Sequence, residues 1–522
     1  MDAPSLINIE LVRDGGTPLH QQIAAALRRL IGVGDLPAGQ RLPPTRDLAR
    51  RLGVNRGTVQ KAYEELIAAA HARAHVGRGT FVAAPADLRR ENATGHLRRT
   101  AASEAPGAAA VPTIPRFAFD LTRVEDPTWE RLARWGERPG VISFAGGVPD
   151  ARLLPMRPFK ECLDAVIDEE GTALLQYGSS RGYPPFVEFL CRHLGRRGLT
   201  VSAERLLVVS GSQQGLDLIA RALVAPGDAV VVEDPTYSGA LSLFRILGAR
   251  LLPVPVDADG MVVEQLEELL AREQPRLVYS IPTFHNPTGT TLSGPRRRRL
   301  VALCRGAGVP LVEDDSDGEL RYDGSDLPHL ASLAGSGVLY LGAFSKLFFP
   351  GLRLGWVMAD PQVISRLEAT KRVADLHTPL LLQAAMARFG ASETGRRLAE
   401  NVRERYRRRR DAMLAALAAS MPEEVTWSRP AGGLSLTVDL SPRTDAADLL
   451  PRAADEGVLF APGHLFSACG DGRPTLRLAF GNVDEASIEE GVIRLRRALD
   501  RERQAGPGEL VSGRALAARP PV

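Results

Sequence analysis

Hydrophobic residues recur at helical spacing in three stretches between residues 16 and 82. The first stripe runs from Leu19 to Leu30, with Thr17 as the predicted N-cap and Pro18 at the first helical position. A second helix is predicted over residues 45–52 and a third from residue 56 to about residue 70. Two short helices around a tight glycine turn indicate a helix-turn-helix, and the glycine-rich residues 76–82 predict a β-hairpin, or wing, behind it. The residues predicted to be buried on the third helix are Val59, Tyr63, Leu66 and Ile67.

A different pattern begins near residue 116, where short apolar runs alternate with amphipathic stretches. Uninterrupted apolar strands separated by helices predict a mainly parallel sheet that is covered on both faces. In such sheets, ligands bind beyond the carboxyl ends of the strands. The predicted strands are residues 206–209, 229–232, 277–280, 310–312 and 338–341.

Composition narrows the class of protein. The 522 residues are too many for one hydrophobic core, and 44% hydrophobic with 24% charged residues is ordinary for a globular protein. The four cysteines are far apart and form no C-x-x-C pair, which argues against a zinc site and a disulfide framework. No apolar run approaches the ~18 residues of a membrane span, and the N-terminal residues lack the pattern of a signal peptide. We therefore expect a cytoplasmic protein without membrane contact.

The chain divides into four predicted segments. Residues 16–84 form the helix-turn-helix head, residues 85–115 a linker rich in Ala, Pro and Gly, residues 116–502 the large body, and residues 503–522 a disordered tail. Residues 1–82 hold 11 Lys/Arg against 7 Asp/Glu, so the head is basic and points to an anionic partner. The arginine runs at residues 296–299 and 403–410 fall in helical patterns, and solvated helix faces are the favoured interpretation.

The head resembles the winged-helix DNA-binding domain of the GntR family. The resemblance rests on three motifs in order: PLHQQIAAALRRLI, GQRLPPTRDLARRLGVNRGTVQKAYEEL and GRGTFV. It implies that the third helix enters the major groove and that the wing contacts the backbone or minor groove. Gly57 departs from the hydroxyl residue often found at its position. The DNA contacts that the resemblance implies are Arg46, Asn55, Arg56, Thr58 and Lys61, with Arg78 on the wing.

Lys346 is the main chemical candidate of the body. The chain has only four lysines and uses Arg for nearly all of its positive charge, yet Lys346 lies in an apolar loop bounded by Gly and Pro. Lysine offers what arginine cannot, an amine that loses its proton and attacks a carbonyl carbon. A lysine at a loop edge that extends to solvent is the ordinary alternative, and the neighbouring motifs decide against it.

Those motifs follow the predicted strands, where a ligand would bind. One molecule would use them all, pyridoxal 5′-phosphate (PLP), with Lys346 bonded to its aldehyde carbon and Asp314 keeping its pyridine nitrogen protonated. Small residues that open a helix after strand 206–209 supply free N–H groups for a phosphate. Arg477 would hold the carboxylate of an amino acid in a bidentate contact. The remaining predicted cofactor contacts are Asn286 at the ring hydroxyl, Tyr237 stacked on the ring, and Ser212, Gln213, Ser345 and Arg353 at the phosphate.

With these residues the body resembles fold-type I aminotransferases, and head and body together resemble the MocR/GabR class of GntR regulators. The resemblance implies an α+β winged head on an α/β body of the PLP-dependent transferase fold, with a mainly parallel, seven-stranded-type sheet and a smaller C-terminal α+β subdomain. It also implies a head-to-tail homodimer in which Tyr177 reaches the cofactor phosphate of the partner subunit. Ser316 stands where the family commonly has Tyr, and Ala343 where it often has Ser or Thr. Both departures affect transamination more than cofactor binding.

Three functions remain open from the sequence. The first is a transcriptional regulator in which an amine or amino acid displaces Lys346 and alters the grip on operator DNA. The second is a working aminotransferase whose head only localises it on DNA. The third is a scaffold that has lost PLP.

Overall fold

The computed structural model describes residues 18–32, 36, 40–68, 72–75, 79–82 and 126–505. The chain separates into two compact units, residues 1–114 and 115–522. The predicted N-cap Thr17, the wing residue Arg78 and the predicted linker lie outside the described residues, as does the predicted tail beyond residue 505.

The N-terminal unit, the head, contains three helices and a β-hairpin. Its second helix ends where the sequence predicts, at Gly53, whose φ of 61° is the left-handed conformation that glycine adopts without strain. The third helix packs its buried side chains against the first. The elements are α1 (Leu19–Gly32), α2 (Thr45–Leu52), α3 (Arg56–Ala68), β1 (Ala72–His75) and β2 (Gly79–Val82).

The core of the head differs from the prediction at one position. Val59, Tyr63 and Leu66 are buried, but Ile67 is 37% exposed and the core contains Ala62 instead. The positions that face α1 are spaced three and four residues apart, which places Ala62 and not Ile67 on the inner face of α3. Tyr63 donates a hydrogen bond from its hydroxyl to the Pro43 carbonyl (2.7 Å), so its one polar atom is satisfied inside the core.

The second unit, the body, alternates strands and helices as predicted. Its helices are α4 (Pro127–Gly136), α5 (Met156–Glu170), α6 (Pro184–Arg196), α7 (Ser212–Leu223), α8 (Ser238–Ile246), α9 (Val263–Glu273), α10 (Gly294–Ala307), α11 (Leu330–Ala334), α12 (Pro361–Ala374), α13 (Leu380–Ala391), α14 (Glu393–Ser420), α15 (Ala446–Asp455) and α16 (Glu485–Ala505). Its strands are β3 (Ile142–Ser143), β4 (Leu206–Val209), β5 (Ala229–Asp234), β6 (Arg250–Asp257), β7 (Gly260–Met261), β8 (Leu277–Ser280), β9 (Leu311–Asp314), β10 (Val338–Ala343), β11 (Gly355–Met358), β12 (Thr426–Trp427), β13 (Ser435–Asp439), β14 (Val458–Leu459), β15 (Ala461–Pro462) and β16 (Thr475–Ala479).

The large sheet has the strand order β4-β11-β10-β9-β8-β5-β6-β7. Seven strands form the predicted mainly parallel sheet, in which β11 is antiparallel to both neighbours, and the two-residue β7 adds a short antiparallel edge to β6. Strands β4, β8 and β10 are buried along their whole length, as expected for strands covered on both faces.

Three strands of this sheet were not predicted: β6, β11 and the two-residue β7. Strand β6 contains Pro253 and Pro255, which lack the N–H of a ladder residue and weaken a strand pattern. Strand β11 follows the Lys346 loop so closely that its apolar residues read as part of that loop. Strands β6 and β11 each pair with the strand that precedes them in the chain, β5 and β10, so they were missed because of these local features and not because their partners are distant.

A second sheet of order β12-β13-β16-β15 forms the core of the C-terminal subdomain together with α15 and α16. Helix α16 extends to Ala505, three residues into the segment assigned to the tail. Among the described residues, no helix has the length and hydropathy to cross a membrane, and no cluster of His, Cys, Asp and Glu could hold a metal.

The two arginine runs are only partly solvated, and in this respect the prediction was wrong. Arg297 is buried and donates to the carbonyls of Leu292 and Pro282. Arg409 and Arg410 are also buried, and Arg409 pairs with the buried Asp150 (2.5 Å). These arginines are structural because each fixes backbone carbonyls or a carboxylate from a remote segment.

Candidate functional site

Lys346 lies in a turn directly after β10, at the carboxyl edge of the large sheet. The side chain is half-buried, and Nζ donates a hydrogen bond to the carbonyl of Gly147 (2.5 Å), in the segment after β3. The amine is thus held inside the fold and not extended into solvent, as the prediction required.

The predicted phosphate residues converge at the start of α7. Gly211 precedes the helix with a φ of 86°, which leaves the N–H groups of the first turn, at Ser212 and Gln213, open to a ligand. Arg353 donates to the Ser210 carbonyl (3.3 Å) and to Ser345 Oγ (3.5 Å). A Cβ on Gly211 would lie 2.5 Å from Arg353 Nη2, so only glycine allows the guanidinium to approach the helix start.

Asp314 is the last residue of β9, and its carboxylate is buried. It accepts hydrogen bonds from the Tyr279 hydroxyl (2.8 Å) and from Ser316 Oγ (2.5 Å) and N (3.1 Å). Burial raises the pKa of Asp314, and the hydrogen bonds from Ser316 and Tyr279 oppose that shift because they stabilise the charged form. A cationic partner, such as a protonated ring nitrogen, would stabilise the charged form of this buried carboxylate.

Tyr237 and Asn286 follow β5 and β8 at the same edge. Tyr237 precedes α8, and burial followed by the charge of Asp314 raises the pKa of its hydroxyl, which places the ring in the electrostatic field of the site. Asn286 Oδ1 accepts a hydrogen bond from Arg477 Nη1 (3.1 Å), across 191 residues of sequence.

Arg477 enters this group from β16 of the small sheet. It is only 6% exposed, its Nη2 donates to the Ala145 carbonyl, and its guanidinium lies 4.7 Å from the centre of the Phe466 ring. Burial lowers the pKa of Arg477 to about 10, and the charge of Asp317 opposes that shift. Its Nε has no hydrogen-bond partner among the described residues, so the guanidinium retains a donor for an anion.

The acidic residues at the end of β9 and directly after it interact with different partners. Asp315 pairs with Arg197 (2.7 Å), Glu319 with His193 (2.9 Å), and Glu313 accepts the N–H groups of Leu330 and Ala331 at the start of α11. Asp315 Oδ1 and Asp317 Oδ1 are both buried without a hydrogen-bond partner among the described residues. Asp317 differs because Asp315 has Arg197 at its other oxygen, whereas no ion pair within the described residues involves Asp317. Sequence reasoning did not identify Asp317, whose proximity to the charges of Lys346 and Arg477 appears only in the fold.

Tyr177 lies on the surface of the single chain. It is 83% exposed, and its ring meets the His377 ring edge-on at 5.9 Å. In the head, Arg46, Asn55, Arg56 and Lys61 are exposed and Thr58 is half-buried. Asn55 Oδ1 accepts the N–H of Gly57 (2.9 Å) and so also caps the first turn of α3.

Comparison with known proteins agrees with this geometry. Residues 140–495 match the family "Aminotransferase class I and II", and residues 19–82 match "Bacterial regulatory proteins, gntR family". The regulator TauR of Rhodobacter capsulatus is 32% identical, over 91% of this chain and 96% of its own length. The probable rhizopine catabolism regulatory protein MocR of Rhizobium meliloti is 29% identical, over 94% and 95%. The chain belongs to the class I and II aminotransferase family, in its GntR-headed, MocR-type branch.

A solved aminotransferase shows the fold of the body of this MocR-type regulator. LysN, the α-aminoadipate aminotransferase of Thermus thermophilus, solved with N-(5′-phosphopyridoxyl)-L-leucine, is 39% identical. The match has a TM-score of 0.69 and covers 74% of this chain and 97% of LysN. The GntR-type head of the MocR-type regulator implies DNA binding, and class I and II aminotransferase domains typically bind PLP.

The residues of the MocR-type regulator fit PLP. The Gly211 turn leaves the N-terminus of α7 open beside Arg353, as a phosphate requires, and the buried Asp314 offers a carboxylate without a cation. Gln213 Oε1 and Arg477 Nε are buried and have no hydrogen-bond partner among the described residues. Buried polar atoms rarely lack a partner, so a bound ligand is expected to provide one. Ser316 donates to Asp314, so its hydroxyl does not stand in for the family's phenol at the ring oxygen.

Proposed function

We propose that the protein is a PLP-dependent transcriptional regulator that senses an amino compound through its aminotransferase-like body. The observation that carries this proposal is the convergence of Lys346, Asp314 and Arg353 at one sheet edge, in a chain that also has a DNA-binding head.

When bound, PLP supplies an electrophilic aldehyde carbon and a ring that withdraws electrons. Lys346 provides the amine that bonds to that carbon. Asp314 holds a proton at the ring nitrogen, since its buried carboxylate gains a cationic partner there. Ser212, Gln213, Ser345 and Arg353 orient the phosphate, Asn286 donates to the ring hydroxyl, and Tyr237 lies against the ring. Arg477 binds the carboxylate of an effector that has one.

PLP would offer its aldehyde carbon to an effector amine as well as to Lys346, and the Lys346 amine would be free when the effector holds that carbon. Lys346 Nζ is hydrogen-bonded to Gly147, so a change at the amine alters the contact between the β10 turn and the segment after β3. We propose that this change is passed to the heads of a dimer and alters their grip on operator DNA through Arg46, Asn55, Arg56, Thr58 and Lys61, with Arg78 on the wing.

The surface around Tyr177 supports the proposed dimer. Leu175, Tyr177, Val373 and Leu376 are exposed, and the contact between Tyr177 and His377 brings the two segments together. Val373 is 91% exposed, and several exposed apolar side chains in one region mark a protein–protein interaction site more than any single one does. A second protomer would bury this surface and place Tyr177 at the partner's phosphate.

The test is a paired measurement on purified full-length protein loaded with PLP. Candidate amines are added while the visible spectrum of the cofactor and the affinity for DNA from the protein's own promoter region are recorded together. We expect some amines to change both signals over the same concentration range. DNA binding with no sequence preference, or a spectral change that leaves DNA affinity unaltered for every amine, would contradict the proposal.

A working aminotransferase is the second candidate, favoured by the 39% identity that extends over nearly the whole of LysN. Many turnovers with an amino donor and a 2-oxo acid would support it, whereas a single half-reaction supports the sensor. A visible spectrum without cofactor absorbance after incubation with PLP would indicate a scaffold that has lost the cofactor.

A further inference from the structure

We propose that Asp317 makes the effector site select amino compounds that carry a second positive charge, such as diamines or basic amino acids, over dicarboxylic amino acids. This inference rests on the proposed function, because it names the class of amine that the site takes.

Two complementary groups of the site lack partners. Asp317 Oδ1 is a buried acceptor without a donor, and Arg477 Nε is a buried donor without an acceptor, among the described residues. The two side chains influence each other's charge, yet no hydrogen bond joins them. A buried polar atom without a partner costs about 1–3 kcal/mol. A ligand that has both an anionic and a cationic group beyond its reacting amine would satisfy both atoms.

The charges around Asp317 show why its carboxylate can interact with a cationic group of an effector. Lys346 and Arg477 attract it, whereas Asp314 and Asp315 repel it, and burial raises the pKa of Asp317. Asp315 already has Arg197 and Asp314 has the Tyr279 and Ser316 hydroxyls. An effector with a second ammonium would give Asp317 the hydrogen-bonded cationic partner that it lacks among the described residues.

A cavity of about 480 Å³ has Arg477, but neither Lys346 nor Asp317, in its wall, and its charge favours the same ligand class. It is lined by Asp234, Asp257, Asp439 and Asp471, with Arg477 as its cationic residue. Asp257 is neutralised by Arg296, but burial raises the pKa of Asp439, which has no cation against it in the described structure. The volume lies within the range of small-molecule sites. Its surplus of carboxylates favours a cation and disfavours a second carboxylate.

2-Aminoadipate is a suitable dicarboxylic amino acid for the comparison, because the solved relative LysN is an α-aminoadipate aminotransferase. 2-Aminoadipate and lysine are nearly equal in length and differ in the charge of the distal group. A like charge near a partly buried carboxylate costs several kcal/mol, so a preference of at least about tenfold for lysine is expected.

The experiment measures the apparent Kd of lysine and of 2-aminoadipate from the visible spectrum of PLP-loaded protein, for the native chain, Asp317→Asn and Asp326→Asn. Asp326 lies in the same connection, but its side chain is 87% exposed and paired with Arg321, so its variant controls for net charge. We expect the native chain to prefer lysine, Asp317→Asn to reduce the preference by about tenfold, and Asp326→Asn to keep it.

Three outcomes separate the possibilities. If neither amine changes the spectrum of any variant, the proposed function itself fails. If both amines bind and the ratio is the same in native and Asp317→Asn protein, only the role of Asp317 fails. If Asp317→Asn weakens both amines equally, the carboxylate serves the freed Lys346 and not the effector, which also overturns the selectivity. The melting temperature of the cofactor-free protein shows whether the variant is folded.

Discussion

The head and the body bury different kinds of residue. In the head the described core is apolar apart from the satisfied hydroxyl of Tyr63. The described residues predicted to contact DNA are exposed, except for the half-buried Thr58. In the body Asp314, Arg477, Arg297 and Arg409 are all buried. Function and stability should therefore be separable by mutation in the head. In the body they share the same buried polar groups.

The largest expected effect is on the chemistry of the body. Lys346→Ala removes the amine that bonds to the aldehyde, so covalent attachment of PLP should be lost completely while the fold is kept. The measurement is borohydride reduction of PLP-treated protein followed by mass spectrometry. Lys160→Ala is the matched control, because Lys160 is an exposed lysine paired with Asp164 on α5. Covalent label on Lys160 or Lys371 in the Lys346 variant would contradict the assignment.

The next prediction tests whether DNA binding and stability can be changed separately in the head. Leu66→Ala creates a cavity in a small core and should lower the free energy of unfolding by about 2–5 kcal/mol. Arg56→Ala changes an exposed side chain and should alter stability by less than about 0.5 kcal/mol. It should weaken DNA binding and reduce the slope of affinity against salt by about one.

Denaturant unfolding and DNA titrations at several salt concentrations measure both variants. The comparison fails if Arg56→Ala destabilises the head as much as Leu66→Ala, since surface and core would then not be independent.

The sequence predicted those parts of the molecule that depend on local pattern. Helix α2 and strands β4 and β8 have the predicted bounds. Lys346 and Asn286 follow their strands and Asp314 ends its strand, and they meet because parallel strands bring their carboxyl ends to one edge. What it could not predict is pairing between distant segments. The hydrogen bond from Arg477 to Asn286 joins residues 191 positions apart, and the ion pair of Arg409 with Asp150 joins residues 259 positions apart. The same limit hid Asp317, whose importance lies in the partner that it lacks.

A smaller effect separates stability from cofactor binding at one residue. The pKa of Asp314 is raised in the folded, cofactor-free protein, so its contribution to stability is present below the unfolded-state pKa of about 3.9 and is lost as pH rises through the folded pKa. Asp314→Asn cannot ionise, so the stability of the cofactor-free variant relative to the native chain should increase as pH rises above about 4. PLP affinity should instead fall by about tenfold or more, because the charged partner of the ring nitrogen is gone.

Melting temperatures at several pH values, with and without PLP, measure the two effects. A variant that loses stability relative to the native chain as pH rises without PLP would show that Asp314 is a structural residue, and the body would then resemble the head.

The smallest expected effect concerns Ser316, the position at which the family commonly has Tyr. Ser316→Ala removes a hydrogen bond to Asp314 that stabilises the charged carboxylate, so PLP affinity should fall by a few fold, equivalent to about 1 kcal/mol. Ser332→Ala is the control, because its hydroxyl donates to the His329 carbonyl (2.8 Å) outside the site. In the Asp314→Asn background the effect should disappear, since the serine would have no charge left to stabilise. If the effect of Ser316→Ala persists in the Asp314→Asn background, the serine hydroxyl acts on the cofactor directly. Serine at this position would then take over the role of the family's tyrosine.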